Sequence, residues 1–374
     1  MRHVYVHVPF CQRRCSYCDF SIAVRKRVPV LDYVDAVLTE VATVPLDGLQ
    51  TIYFGGGTPS LLPPEAISTV LHELTDPRRT RDAVTPHAEV TLEANPEDVT
   101  PDAARAWRAA GINRVSLGAQ SFDDRVLQWM HRSHDSARIG AAVHALKGAG
   151  IANISLDLIF GLPEELHRDW SRDLDQAISL LPSHISLYGL TVEPRTPLDR
   201  WISRGATRPP TEERYAEEYL FAHRRLAADG FEFYEVSNAS LHGFISRHNS
   251  TYWSGSPYLG LGPAAHSFDG RTRRWNLSAW EAYRRAIAAG QSPLESEEVL
   301  TDEQRELEQI YLALRTSEGL SLTAPYRPLP PLTAWVERGW VVEQGGRVRC
   351  TPEGWLRLDE LVAKLFATKG LSPS

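Results

Sequence analysis

The sequence predicts an α/β fold, a parallel sheet with crossover helices that either curves into a partial six-stranded (β/α)6 barrel or lies open as a doubly wound sheet. Two observations lead there. Six short apolar or alternating runs recur at His3–Val8, 51–54, 89–92, 114–117, 153–158 and 184–188. Helix-length segments separate most of them, at 64–74, Pro101–Ala110, 136–149 and 169–181. Strand–helix alternation of this kind implies parallel pairing with right-handed crossovers. Six units are too few for the standard eight-stranded barrel, which leaves the partial barrel and the open sheet both standing.

Each element has its own signal. Pro64 and Pro101 suit a first helical turn, and Thr100 offers an N-cap before the second of these helices. After Tyr188 the texture changes: 191–290 is rich in loops, with prolines at 194, 197, 209 and 210, one good helix at 211–229, and an aromatic, glycine-rich stretch at 252–270. From about Leu300 a separate unit begins, with a helix at 302–314, a linker at 325–331 and a second helix at 332–339. A hairpin turning at Gly345-Gly346 and a last helix at 352–365 complete a winged-helix-like plan. The expected organisation is a barrel core at 1–190, a loop-rich extension at 191–298 and a C-terminal domain at 299–374.

The formal charge of −7 gives no support for a nucleic-acid surface. The clusters Arg25–Arg27 and Arg271–Arg274 read as solvated loop charges. No run approaches the roughly 18 apolar residues of a spanning helix, and Met1–Pro9 leads straight into a strand pattern rather than a signal peptide. A cytoplasmic location is the expectation, with peripheral membrane contact left open.

Three of the four cysteines, Cys11, Cys15 and Cys18, fall in one loop directly after the first strand; Cys350 stands alone and reads as a packed apolar residue. Three thiolates on one loop can hold three irons of a cubane 4Fe-4S cluster and leave the fourth iron to a small chelator. A zinc site wants four ligands, and no second cysteine pair exists, although His7 could be conscripted. An exchange pair at Cys15 and Cys18 leaves Cys11 unexplained. Further along, Gly55-Gly56-Gly57-Thr58-Pro59, Glu93, Gln120, Asp157 and Thr191 all lie at or just after strand ends. In a parallel barrel these ends share the face where ligands bind. Burying so many polar groups there without a ligand is costly.

The spacing Cys11-x-x-x-Cys15-x-x-Cys18, with Tyr17 before the last cysteine, resembles the radical S-adenosylmethionine superfamily. The resemblance implies that Cys11, Cys15 and Cys18 ligate a 4Fe-4S cluster and that S-adenosyl-L-methionine binds its unique iron. It also implies that Gly56, Gly57 and Thr58 contact the methionine end. Glu93, Gln120, Arg132 and Asp157 would bind the charged and ribose groups, while Tyr5 and Tyr17 lie near the cluster and nucleoside.

Within that superfamily nearly the whole chain resembles oxygen-independent coproporphyrinogen dehydrogenase and its sister group, the HemW-type heme chaperones. Phe20 occupies the place of a fourth cysteine in the dehydrogenase, and only ten residues precede Cys11. His248-Asn249-x-x-Tyr252-Trp253 reproduces the chaperones' signature. The resemblance therefore implies heme as a further cofactor and cargo, with His248 as a candidate axial ligand, Asn249 orienting it, and Tyr252 and Trp253 flanking the porphyrin. Heme-accepting respiratory proteins are the implied partners. The rival is a radical enzyme acting on coproporphyrinogen; a homodimer stays open.

Overall fold

The computed structural model describes residues 1–76, 87–322 and 331–368. The six runs form six parallel strands lying side by side in chain order: β1 (His3–Val8), β2 (Thr51–Gly56), β3 (Glu89–Ala94), β4 (Arg114–Gln120), β5 (Asn153–Phe160) and β6 (His184–Gly189). Their alternation decides the curvature. Val4, Val6, Ile52, Phe54, Leu92, Val115, Leu117, Ile154, Leu156, Ile185 and Leu187 are buried beneath helices. The intervening positions carry His3, Tyr5, Thr51, Tyr53, Thr91, Glu93, Arg114, Ser116, Asp157 and Ser186. The register pairs Tyr5 with Tyr53, Tyr53 with Thr91, Glu93 with Ser116 and Asp157 with Ser186, so these polar residues share one face. A doubly wound sheet covers both faces with helices and is apolar on both. One apolar face and one polar face instead make a partial barrel, with helices outside and a polar lumen.

The outer layer is α1 (Val30–Val41), α2 (Pro64–Thr75), α3 (Pro101–Ala110), α4 (Asp124–Trp129), α5 (Ser136–Gly148) and α6 (Trp170–Ser179). Helix α2 buries Ile67, Val70, Leu71 and Leu74, and α3 buries Ala104 and Trp107, each a stripe at helical spacing. Thr100 caps α3 by accepting from the Ala103 amide at 3.1 Å, and Asp135 and Asp169 cap α5 and α6 in the same way.

The boundary expected at residue 190 does not separate a unit, because the following segment completes the sheet. It contributes α7 (Pro197–Ser203), α8 (Glu212–Ala228), β7 (Glu232–Glu235), β8 (Asn238–Ser240), α9 (Arg247–Trp253) and β9 (Leu259–Leu261). Strand β8 pairs antiparallel with β6, β7 lies outside it, and β9 pairs in parallel with β1. The nine-stranded order is β9-β1-β2-β3-β4-β5-β6-β8-β7. Short strands hide from a periodicity argument, which is why the extension read as loops. A small antiparallel sheet follows, made of β10 (His266–Phe268), β11 (Thr272–Asn276) and β12 (Leu294–Val299), with α10 (Trp280–Ala288) packed on α1.

The last segment runs α11 (Asp302–Arg315), β13 (Leu320–Ser321), α12 (Leu332–Glu337), β14 (Val341–Gln344), β15 (Arg347–Cys350), α13 (Pro352–Trp355) and α14 (Leu358–Thr368). A capping box between Thr301 and Gln304 opens α11. Gly345 and Gly346 both take positive φ, as a two-residue hairpin turn demands. The linker expected at 325–331 lies, except for Pro331, outside the described residues. Among the described residues no helix is long and apolar enough to cross a membrane.

Candidate cofactor cavity

A cavity of about 370 Å³ opens at the C-terminal ends of the barrel strands. Its wall includes Cys11, Cys15, Cys18, Tyr17, Gly56, Gly57, Thr58, Glu93, Gln120, Arg132 and Asp157.

The cysteine loop is pinned at both ends. Phe10–Cys11 pairs with Ala23–Val24, the Ser16 amide donates to the Met130 carbonyl at 3.2 Å, and the Leu198 amide donates to Ser16 at 2.9 Å. Tyr17 packs in a small apolar cluster with Val126, Met130, Ile159, Leu162 and Leu198, holding the loop's inner side. Thr58 Oγ1 donates to Cys11 Sγ at 3.3 Å, and Arg132 Nη1 lies 3.5 Å from Cys15 Sγ. All four cysteines are free thiols. Burial raises the Cys11 thiol and pushes the Cys18 thiol up to about 11; ligation of a metal by these thiolates would displace both protons. Among the described residues no three His, Cys, Asp or Glu side chains converge as a mononuclear metal site requires. Three thiols spread around one cavity suit a cluster, in which each thiolate holds a different iron.

The glycine run is a packing requirement. A Cβ on Gly57 would sit 2.8–2.9 Å from the backbone of Pro9 and Phe10, inside the segment that carries Cys11. Gly56 has φ +111°, and a Cβ there would meet the His7 ring at 2.6 Å. His7 in turn shares a 3.2 Å hydrogen bond with the Ser21 carbonyl beyond Cys18.

Glu93 and Asp157 are inward-facing strand carboxylates that line the cavity. Glu93 accepts from the Tyr53 hydroxyl at 2.8 Å and from the Gly56 amide at 3.1 Å. Its burial, reinforced by the nearby Asp157, raises its pKa to about 7 despite those donors. Asp157 is likewise raised by burial, and the Ser116 and Ser155 hydroxyls donate to it at 3.0–3.1 Å. Gln120 reaches the cavity through a register shift between β4 and β5, with φ +67°. That β-bulge turns a residue at the end of a buried strand inward. Arg132 donates to Asn95 Oδ1 at 2.5 Å and to the Gly118 carbonyl at 3.0 Å, which makes it part of the wall.

Asn95, Ser116 and Tyr188 also line the cavity and were not singled out from sequence. Ser116 and Tyr188 occupy inward-facing positions of their strands, a signal available in the alternation. Asn95 follows Glu93 by two residues, and its role shows only through its contact with Arg132.

Two expected residues lie elsewhere. Tyr5 sits below the cavity wall, its hydroxyl 3.1 Å from His7 Nδ1 and its ring stacked on Tyr53. His248 is at the other end of the barrel, in the first turn of α9. Its Nδ1 shares a 2.7 Å hydrogen bond with Thr51 Oγ1 and its Nε2 a 2.9 Å bond with the Tyr252 hydroxyl. The side chain is 0% exposed, and burial lowers its pKa to about 3, so it is neutral. The expectation of an imidazole open to heme iron does not match this arrangement, because the polar lumen and Tyr252 occupy both nitrogens.

The Radical SAM superfamily profile matches residues 5–177. The chain is 39% identical to the heme chaperone HemW of Mycobacterium tuberculosis (strain ATCC 25618 / H37Rv), over 85% of this chain and 83% of that protein. It is 35% identical to the heme chaperone HemW of Bacillus subtilis (strain 168), over 86% and 85%. Among solved structures, coproporphyrinogen III oxidase (HemN) from Escherichia coli, a radical SAM enzyme, superposes with a TM-score of 0.81 at 21% identity, covering 97% of this chain and 89% of that one. That likeness concerns the fold, over nearly the whole chain. With the cysteine loop, the glycine turn, Glu93 and Asp157 gathered round one cavity, these relationships establish that the chain belongs to the HemW heme chaperone family of the radical SAM superfamily.

Proposed function

We propose that this chain binds heme and passes it to heme-accepting respiratory proteins, holding a 4Fe-4S cluster and S-adenosyl-L-methionine in the barrel cavity. The relationship to heme chaperones along most of the chain carries this reading. Phe20 supports it: the residue in the place of the dehydrogenase's fourth cysteine is 61% exposed on the cavity rim.

Cys11, Cys15 and Cys18 would hold the cluster, which would supply the metal site that anchors S-adenosylmethionine. Gly56, Gly57 and Thr58 form the part of the cavity wall that receives the methionyl end. Glu93, Gln120, Arg132 and Asp157 face the charged and ribose groups. Tyr17 closes the wall beside the cluster, and Tyr5 supports it from below. His248 can ligate heme only if its hydrogen bond to Tyr252 opens. Heme acceptors in a membrane would bring the chain into peripheral contact with it, and a homodimer fits the same reading.

Heme titration of the anaerobically reconstituted protein tests the proposal. A saturable Soret band is expected, with no conversion of coproporphyrinogen to protoporphyrinogen. Absence of saturable binding contradicts carriage, and turnover of coproporphyrinogen would favour the enzyme. Loss of heme affinity in His248→Ala together with a gain in Tyr252→Phe would identify His248 as the ligand.

A further inference from the structure

The signature segment on α9 and the cofactor cavity lie at opposite ends of the barrel, yet an unbroken set of contacts joins them through the lumen. At the top, the Glu93 carboxylate is held by the Tyr53 hydroxyl at 2.8 Å and the Gly56 amide at 3.1 Å. Tyr53 runs down the lumen with its ring stacked on Tyr5 at 6.0 Å and on His248 at 5.0 Å. A Cβ on Gly55 would meet the Tyr5 and Tyr53 rings at 2.8 Å, so the stack fits only because that residue is glycine. At the bottom, Thr51 and Tyr252 fix the His248 ring, while Glu89 accepts from the amides of Arg247 and His248 at 3.0 and 2.9 Å. Trp253 lies under the Arg315 guanidinium of α11, 4.6 Å away.

We propose that Tyr53 and His248 are positioning residues for Glu93, so that the His-Asn-x-x-Tyr-Trp segment sets the affinity for S-adenosylmethionine at the far end of the barrel. A Tyr53 hydroxyl aimed by stacking directs Glu93 Oε1, and the Gly56 amide directs Oε2. The carboxylate thus meets its ligand in one orientation rather than several. His248 acts at second hand: it holds the Tyr53 ring, and its own two hydrogen bonds fix its plane.

This rests on the reading that Glu93 faces S-adenosylmethionine. Tyr53→Phe, His248→Ala and His248→Gln would be reconstituted anaerobically and compared with the wild type. The measurements are iron content, S-adenosylmethionine affinity by equilibrium dialysis, and the change that S-adenosylmethionine causes in the electron paramagnetic resonance spectrum of the reduced cluster. Tyr53→Phe removes one hydroxyl and keeps the ring. It is expected to retain the cluster, weaken binding about tenfold, as loss of one hydrogen bond to a charged group does, and shift the S-adenosylmethionine-induced spectrum. His248→Ala should weaken binding with the cluster intact, and His248→Gln, which keeps a planar polar group but no ring against Tyr53, should recover it in part. Wild-type affinity and spectrum in Tyr53→Phe overturn the proposal, even if His248→Ala fails to fold. Wild-type affinity in a folded His248→Ala removes His248 from it. If the wild type itself binds no S-adenosylmethionine, the cofactor reading fails and the proposal with it, a result distinguishable from any variant effect.

Discussion

Glu93 illustrates how far single residues can be read from the sequence and where that stops. Its place at a strand end marked it as a ligand-facing carboxylate, but the hydroxyl of Tyr53, forty residues earlier in the chain, is visible only once β2 and β3 are paired. Burial holds Glu93 near pH 7. Deprotonation favours contact with a cationic ligand, so S-adenosylmethionine affinity should rise as pH increases through about 7, and Glu93→Gln should flatten that rise; equilibrium dialysis across pH 6–8 measures both. Cys15→Ser should abolish the iron–sulfur absorbance of reconstituted protein, whereas a zinc or disulfide site has no such signal to lose. His248 was recognisable as a motif residue, but its burial was not, because its partners Thr51 and Tyr53 come from a distant strand. The buried ring binds a proton only near pH 3 when folded and near 6.5 when unfolded. The unfolded state therefore takes up protons first, and stability, complete above about pH 6.5, falls as pH drops below it. In denaturant titrations at pH 7 and pH 5, His248→Gln should lose less stability than wild type, by about 2 kcal/mol.

At the scale of elements, the six parallel strands and the helices α2, α3, α5 and α6 were legible because apolar runs recur along the chain with a helix-length segment between most of them. Strands β7, β8 and β9 were not, since runs of three or four residues stand out only where a regular strand–helix repeat frames them. The glycine turn after β2 was legible as a ligand-binding loop for an incomplete reason. Its glycines are needed as much for packing, with Gly57 against Pro9 and Phe10 and Gly56 against His7. Gly57→Ala should therefore push the cysteine loop outward and lower cluster occupancy, measured as iron and sulfide per chain, while far-ultraviolet circular dichroism stays unchanged. Full occupancy in that variant would mean the loop has slack that the contact distances do not suggest. The bulge that turns Gln120 inward leaves no sequence signal apart from Gly118 nearby, where a Cβ would meet the Gln120 amide at 2.9 Å.

Across the whole molecule, the polar lumen joins what the sequence divided. The segment after residue 190 closes both edges of the sheet and supplies α9 as the barrel's lower plug, and α11 reaches α9 through Arg315 and Trp253. A bridge between Glu235 and Thr316 and the Trp355 indole bond to the Leu314 carbonyl tie the same region to the last helices. The polar residues at alternate strand positions are what distinguish the partial barrel from an open sheet. The C-terminal unit, unexplained by any motif, thus touches the segment that resembles the heme chaperones' signature. Heme transfer tests this account most directly. Protein reconstituted with cluster and loaded with heme is mixed with an apo-form of a respiratory heme protein, in the presence of a scavenger for free heme, and the Soret band is followed. The account predicts that the band moves from carrier to acceptor without appearing on the scavenger. A band that stays on the carrier, or reaches the acceptor only at the rate of heme release to the scavenger, would contradict it.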